Sequence, residues 1–334
     1  MGTIKDVAKR SGLGLATVSK YINGGNVREE NKVAIEAAIN DVGFEINTIA
    51  RSLRSGRTQT IGVILPRIDE IFRTTILSHV EKVLRENGYS LIFVDCQADK
   101  ELEHQAVQFL LSKQVDGIIS IPFDNDGAYL LPAIEKNIPV VLIEYTIDGL
   151  KNKVNAVLVD NIKASEAATQ LLIDAGHKEI GIILGTEHIA IEQERLFGYK
   201  QALEKNKIEF QERLVCFTDY TVKNGYEKAK YLITTEKPSA LFAANYYMTM
   251  GAIMATYNMN LSIPKDISFV GFDRTPFTEI FSPKLTFVEQ PLEELAVNAA
   301  EIMLNALKNE NKPAAITKTL LAHIQLGDSI AKHI

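Results

Sequence analysis

The chain is 334 residues long, more than one hydrophobic core ordinarily organises, so two or three domains are expected. Its composition, 46% apolar and 23% charged, is that of a soluble globular protein, and it has no run of about 18 apolar residues to span a membrane. Of 36 Lys/Arg and 42 Asp/Glu, residues 1–58 hold nine and six; this net of +3 leaves −9 on the remainder, so contact with a phosphate backbone belongs to the N-terminal end.

The N-terminus, Met1-Gly-Thr-Ile-Lys-Asp6, lacks the apolar core of a signal peptide, and Asp6 stands where a myristoylation motif requires Ser or Thr. A cytoplasmic protein is expected. Thr3 opens a first helix as N-cap, with Asp6 as a capping-box partner and Ile4, Val7 and Ala8 as the apolar face. Gly12 and Gly14 bracket a turn. Residues 15–23 read as a second helix, with Val18 and Ile22 inward and Leu15, Ala16, Ser19 and Lys20 outward. A third helix, about 29–42, brings Val33, Ala37 and Ile39 to a small core and stops at Gly43. Such a unit is marginal in size and works by presenting one helix to a DNA major groove. Gly12-Leu-Gly14-Leu-Ala-Thr17 imitates a dinucleotide loop, but a helix precedes it and no Gly closes the motif. Residues 47–56 have a capping Asn and helix formers, yet are too short to hold a helix alone in water, as expected of a segment that folds on docking.

From Thr60 onward short apolar runs alternate with helical patterns. The runs begin at Ile61, Leu91, Gly117, Val140, Ala156, Ile180, Ala240 and Ile267. Apolar on both alternating faces, they fit strands of parallel sheets buried on both sides. Helical stripes cover 71–87 (Ile76, Val80, Val83, Leu84), 192–206 and 292–307. This alternation implies doubly wound α/β lobes, whose ligands sit at the carboxyl ends of strands. Several runs end there in polar or aromatic residues: Glu144-Tyr145, Asp160-Asn161, Asn245-Tyr246, Phe272-Asp273. Cys96 and Cys216 lie in apolar runs without a CxxC pair, and read as core thiols rather than as a disulfide or zinc framework.

Taken together, Thr3-Ile-Lys-Asp-Val-Ala8, Ala16-Thr-Val-Ser19, Asn47-x-x-Ala50-Arg51-x-Leu53, Gly176-His177, Arg195-x-x-Gly198-Tyr199-x-x-Ala202-Leu203, Ile263-Pro264-x-Asp266-Ile267-Ser268 and Gly271-Phe272-Asp273 resemble, in this order and spacing, the lactose/galactose repressor (LacI/GalR) family of bacterial transcriptional regulators. The resemblance runs over the whole chain. It implies an α/β protein with an N-terminal helix-turn-helix headpiece and a two-lobed, doubly wound, periplasmic-binding-protein-like (type I) effector domain. The implied division is 1–46 for the headpiece, 47–58 for a hinge helix and linker, and 59–334 for effector binding and dimerisation. Lobe 1 would take about 59–158 and 289–317, and lobe 2 about 159–288 and 318–334.

The resemblance further implies a homodimer on a pseudo-palindromic operator. Leu15, Ala16 and Lys20 would meet base edges. Thr17, Ser19 and Asn23 would hold phosphate or the helix-turn-helix, and Thr3 and Asn47 also count among the DNA-binding residues. Paired hinge helices would enter the minor groove, where Leu53 wedges between base pairs with Ala50 and Arg54 beside it. Gly14 stands where the family often has Ser, so the recognition helix has a cap without a side-chain acceptor. Leu15 and Ala16 make no bidentate base contact, which shifts readout to Lys20, methyl contacts and DNA shape.

By position, the effector cleft would comprise Phe72, Arg73, Glu144, Arg195, Asn245, Asp273 and Gln290, with Tyr145, Tyr246 and Phe272 offering aromatic faces. Carboxylates, amides and Arg forks around aromatic walls suit a polyol. Two departures stand out. Glu70-Ile-Phe72-Arg73 replaces Asn-Pro-Phe and an aromatic or small residue, and Tyr246 replaces a common Asp. A cation gained and an anion lost would favour a sugar-derived acid, unless Arg73 pairs with Glu70 or Asp69 on the rim. His177 reads as structural.

The implied function is a sequence-specific repressor of carbohydrate-utilisation genes whose operator affinity follows a sugar or sugar-derived effector; induction and corepression would use the same parts. The alternative, from fold alone, is a periplasmic-type solute-binding protein without DNA function, against which the basic headpiece argues. No enzyme is expected, since no nucleophile–base pair, metal cluster or phosphate loop emerges, and no cofactor is expected. The tail from Gly327 carries no leucine heptads, so a dimer rather than a tetramer is expected. Some family members take a phosphocarrier protein as corepressor, a partner that this sequence leaves open.

Overall fold

The computed structural model describes residues 2–22, 24–44, 56–274, 280–309 and 314–333, which fall into an N-terminal unit and a larger one. Asn23, Asn47, Ala50, Leu53 and Arg54, with most of the expected hinge helix, lie outside the described residues.

In the N-terminal unit, α1 (Ile4–Ser11), α2 (Leu15–Ile22) and α3 (Glu29–Val42) surround Val7, Val18, Ile35 and Ala38. The capping box of α1 is closed: Asp6 N donates to Thr3 Oγ1 at 3.3 Å, and Thr3 N donates to the Asp6 carboxylate at 2.9 Å. The expected core contribution of α3 needs correction. Val33 and Ala37 are exposed, whereas Ile35 and Ala38 are buried and Ile39 and Val42 pack beside them. That stripe runs i, i+3, i+4, i+7 from Ile35, and starting it two residues early turns the helix to its opposite face. An Arg10–Asp41 ion pair (2.5 Å) and a Tyr21 hydroxyl donating to Glu36 (2.5 Å) tie α1 and α2 to α3.

The larger unit runs β1 (Thr60–Leu65), α4 (Ile71–Glu86), β2 (Ser90–Asp95), α5 (Lys100–Ser112), β3 (Gly117–Ser120), α6 (Leu131–Glu135), β4 (Val140–Ile143) and β5 (Asn155–Val159). It continues through α7 (Asn161–Asp174), β6 (Ile180–Leu184), α8 (Ala190–Lys205), β7 (Val215–Phe217), α9 (Val222–Tyr231), β8 (Ala240–Ala243), α10 (Tyr246–Asn258) and β9 (Ser268–Phe272). It closes with β10 (Thr286–Glu289), α11 (Leu292–Lys308), β11 (Thr317–Leu320) and β12 (His323–Gln325). One six-stranded sheet has the order β11-β5-β4-β3-β1-β2 and the other β12-β10-β9-β8-β6-β7, so the two lobes repeat one plan. The ladders joining β1, β3, β4, β5 and β11 are parallel, as are those joining β7, β6, β8, β9 and β10; β12 runs antiparallel to β10.

The chain crosses between lobes after β5, after β10 and after β11. The last crossing moves the expected boundary: Thr317–Leu320 pairs with Ala156–Val159, so lobe 1 keeps the chain to 320 rather than 317. β2 is not buried on both faces as expected, because it is an edge strand; Phe93 is 52% exposed. β7, β10, β11 and β12 were not among the expected strands. One face of the first sheet is covered by Ile76, Val80 and Leu84 of α4 and Leu295, Ala299 and Met303 of α11. α7 and α8 cover the second sheet with Ala168, Leu172, Tyr199 and Leu203. These two helices touch through Gly198, where an added Cβ would lie 2.1 Å from Ile162 O.

Both cysteines are free and buried, and burial pushes the Cys96 thiol up to about 12. His177 is structural: its ring bonds to Ser239 Oγ and Ala331 O and stacks on His333. No helix of the described residues is long and apolar enough to cross a membrane.

Candidate functional site

In the N-terminal unit, α2 and the turn after it form a concavity of about 540 Å³ lined by Ala16, Thr17, Lys20, Asn26, Val27, Arg28 and Asn31. Leu15 is exposed on the same helix and Ser19 is half-buried. The expected Ala16, Thr17 and Lys20 are thus together, whereas Thr3 is held in the α1 cap, donating to Asp6 at 2.7 Å. Asn26, Arg28 and Asn31 were missed. Their signal was a second cation just before α3, and only the fold of the turn brings it beside Lys20. A cationic, amide-bearing surface on an exposed helix suits phosphate and base edges.

In the larger unit the site grows from two equivalent strand ends. Glu144 follows β4 and Asp273 follows β9, the corresponding strands of the two sheets. Both take left-handed backbone, φ 69° and 65°. Each is pinned by its N–H, Glu144 to Val157 O (2.8 Å) and Asp273 to Val288 O (2.9 Å). Non-glycine residues in that region carry strain of about 1 kcal/mol or more, and such strain clusters at ligand sites. Asp273 also accepts from Tyr246 N (3.3 Å) and Gln290 Nε2 (2.7 Å). Burial raises both carboxyls above their ordinary range, Glu144 to about 7; Arg73 and Arg195 oppose the shift at Glu144, and Arg195 opposes it at Asp273.

The expected residues divide between two cavities. Phe72, Tyr246, Asp273 and Gln290 line one of about 480 Å³; Glu144 and Tyr145 line another of about 270 Å³ with Asp160, Asn161 and Glu194. Arg73 and Asn245 line neither, Arg73 bordering a small void among Val63, Leu65 and Ile76, and Arg195, 3% exposed, also lines neither. Its Nε donates to Asn161 Oδ1 (3.0 Å), its Nη1 to Ala244 O (2.6 Å), and its plane lies 4.0 Å from the Phe272 ring centre. Its ion-pair partner is Glu192 at 3.6 Å, a buried carboxylate that also accepts from Gly185 N and the Tyr220 hydroxyl.

Three expectations change. Phe272 offers no face to a ligand, being fully buried beneath Arg195. The Tyr145 ring packs against Ile189, Ile191 and Tyr220 of the other lobe, although Tyr145 still borders the smaller cavity. Arg73 brings no uncompensated cation, because it is ion-paired with Glu70 and both side chains are largely buried rather than on the rim. This pairing removes the ground for preferring an acidic ligand. The sequence reading noted Asn161 only as a polar strand end and missed Glu192, Glu194 and Tyr220. The available signal was Glu192-x-x-Arg195, an i,i+3 pair on one helix face.

Three buried side-chain polar atoms have no partner among the described residues: Arg73 Nε, Asn245 Nδ2 and Gln290 Oε1. All three belong to the residues singled out from sequence. The amides are oriented by their other ends, since Asn245 Oδ1 caps α10 by accepting from Met248 N and Gln290 Nε2 is held by Asp273. Folded proteins leave few such atoms, and those they leave require an explanation.

A sequence profile for bacterial regulatory proteins of the lacI family matches residues 3–47, and one for periplasmic binding proteins and the sugar binding domain of the LacI family matches 58–325. The chain is 31% identical to catabolite control protein A of Priestia megaterium over 322 residues, covering 95% of this chain and 96% of that one. It is 31% identical to the ribose operon repressor of Haemophilus influenzae, covering 93% and 94%. Among solved structures, the transcriptional regulator CelR–cellobiose complex matches with a TM-score of 0.76 and 26% identity, over 98% of this chain and 100% of that one. The lac repressor dimer bound to operator and anti-inducer, 21% identical, shares the fold with a TM-score of 0.85 over 99% of both chains. The chain therefore belongs to the LacI family: it is a DNA-binding transcriptional regulator rather than an enzyme, and it joins a helix-turn-helix headpiece to an effector-binding domain of the periplasmic-binding-protein type.

Proposed function

We propose that this regulator acts in the cytoplasm as a homodimeric repressor on a pseudo-palindromic operator, with α2 in the major groove and a small polyol in the cleft setting operator affinity. The observation that carries the cleft assignment is the unpartnered buried acceptor Gln290 Oε1, on a residue that lines the larger cavity beside Asp273. A hydroxyl donates to such an acceptor and also accepts, so a polyol suits the cavity. A related regulator, CelR, is described in complex with cellobiose.

The test is thermal unfolding against a sugar panel, followed by operator binding with any compound that shifts the melt. A compound at a hundred times its dissociation constant adds about 2.7 kcal/mol to the native state. The shift should vanish in Gln290→Ala, and the same compound should change operator affinity. A shift undiminished in Gln290→Ala, or one without effect on operator binding, refutes the assignment.

A further inference from the structure

The cations nearest the cleft carboxyls are already paired with other groups. Glu144 feels Arg73 and Arg195 on one side and Asp273 and Glu192 on the other. Arg73 is taken by Glu70, and Arg195 by Glu192. Glu144 and Asp273 have no ion pair among the described residues; burial favours the protonated form of Glu144, which lines the smaller cavity, so Asp273 is the buried carboxyl left facing the larger one. Arg195, whose field reaches Asp273, has its Nε and Nη1 committed to Asn161 and Ala244. Among the described residues lining the larger cavity, Arg274 pairs with Glu289 at 3.6 Å, and beyond Asp273 and Tyr246 the other titratable groups are Glu293, Glu294 and His323.

The larger cavity collects acceptors. Asp273 and Gln290 line it together with the rings of Phe72 and Tyr246. Gln290 is 6% exposed, its Nε2 is spent on Asp273, and its Oε1 therefore presents a buried acceptor to which nothing donates. A hydroxyl there would leave Asp273 without a cation, and a uronate or sugar phosphate would set a second negative charge beside it. An ammonium group has three donors and no acceptor, and aromatic faces attract it. The volume, about 480 Å³, holds a monosaccharide-sized ligand.

We propose that the effector of this cleft is a cationic polyol, an amine-bearing sugar of hexosamine size, with its ammonium group against Asp273 and Gln290 Oε1. This rests on reading the cleft as a small-polyol site. Charge-assisted hydrogen bonds exceed neutral ones enough for a preference of about tenfold.

The experiment is calorimetric titration of the full-length protein at about pH 7 with glucosamine, galactosamine and mannosamine, their N-acetyl derivatives, the parent hexoses and the corresponding uronates. The expected result is that a free amine binds about tenfold tighter than its parent and its N-acetyl form, and that Asp273→Asn removes this preference. The wild-type comparison stands even if that variant folds poorly. Equal or tighter binding of a neutral hexose or a uronate overturns the amine proposal and leaves the cleft assignment intact, provided that binding is lost in Gln290→Ala. Binding by no member of the panel overturns the amine proposal and counts against the cleft assignment as well.

Discussion

Replacing Glu144 by Gln should flatten the pH dependence of stability between about pH 4.5 and about 7. In the unfolded chain this carboxyl titrates near 4.5; in the fold, burial lifts it to about 7. Across that window the native state holds a proton that the unfolded state has released. Stability therefore falls as pH rises, by about 3 kcal/mol for a shift of this size. For a unit of this length that is a fall in melting temperature of about 5 °C. Glu103 contributes in the same window and with the same sign: it is buried on α5, accepts from Phe123 N at 3.1 Å, and is pushed to about 7. Asp273 and Glu194, also raised by burial, add in the same sense. The informative quantity is accordingly the difference between proteins. Thermal melts followed by circular dichroism in steps across the window should show Glu144→Gln losing part of the wild-type slope, and the double variant with Glu103→Gln losing more. A Glu144→Gln protein that keeps the full wild-type slope would show Glu144 titrating as an ordinary exposed carboxyl, and the account of its burial would be wrong.

Arg195→Met leaves Glu192 buried without its cation and should cost about 3–5 kcal/mol in denaturant unfolding, with much of the loss recovered by adding Glu192→Gln; a cost under about 1 kcal/mol would mean that the pair is solvated. Gly198→Ala places a methyl 2.1 Å from Ile162 O and forces α7 and α8 apart, so the effector domain should lose at least about 1–3 kcal/mol; an unchanged melt would contradict that packing. Arg28→Ala, at the headpiece concavity, should weaken operator binding across sequences and reduce the slope of log affinity against log salt by about 0.9, and an unaltered slope would remove Arg28 from the phosphate contacts.

Much of this protein is legible along the chain because the relevant signals are local. The Thr3–Asp6 capping box, the strand runs beginning at Ile61, Gly117, Val140 and Ile180, and the helix at 71–86 follow from patterns within a few residues, and the structure has each of them. Glu144, Asn245 and Asp273 could be singled out because in an α/β lobe the carboxyl end of a buried strand is where polar residues meet a ligand. Short segments carried less information. β7 and β12 are three residues each, too short for a period to show, and β11 is mostly exposed, so nothing apolar marks it. The stripe of α3 was set two residues early because Val33 is as apolar as Ile35, and only the packing of α1 and α2 distinguishes them.

What the sequence determined by itself was the family and the two-part plan, both carried by residue types at short fixed spacings; the polar residues expected at the cleft came from the family resemblance. Tertiary structure decided what those residues do to one another. It spends Arg73 on Glu70 and Arg195 on Glu192, hides Phe272 beneath a guanidinium, turns Tyr145 toward the other lobe, and extends lobe 1 to Leu320 through pairing with β5. The physical reason is that charge compensation and hydrogen bonding act over a few ångströms. Strand pairing and lobe packing bring the partners that close, and in sequence many of them lie tens of residues apart.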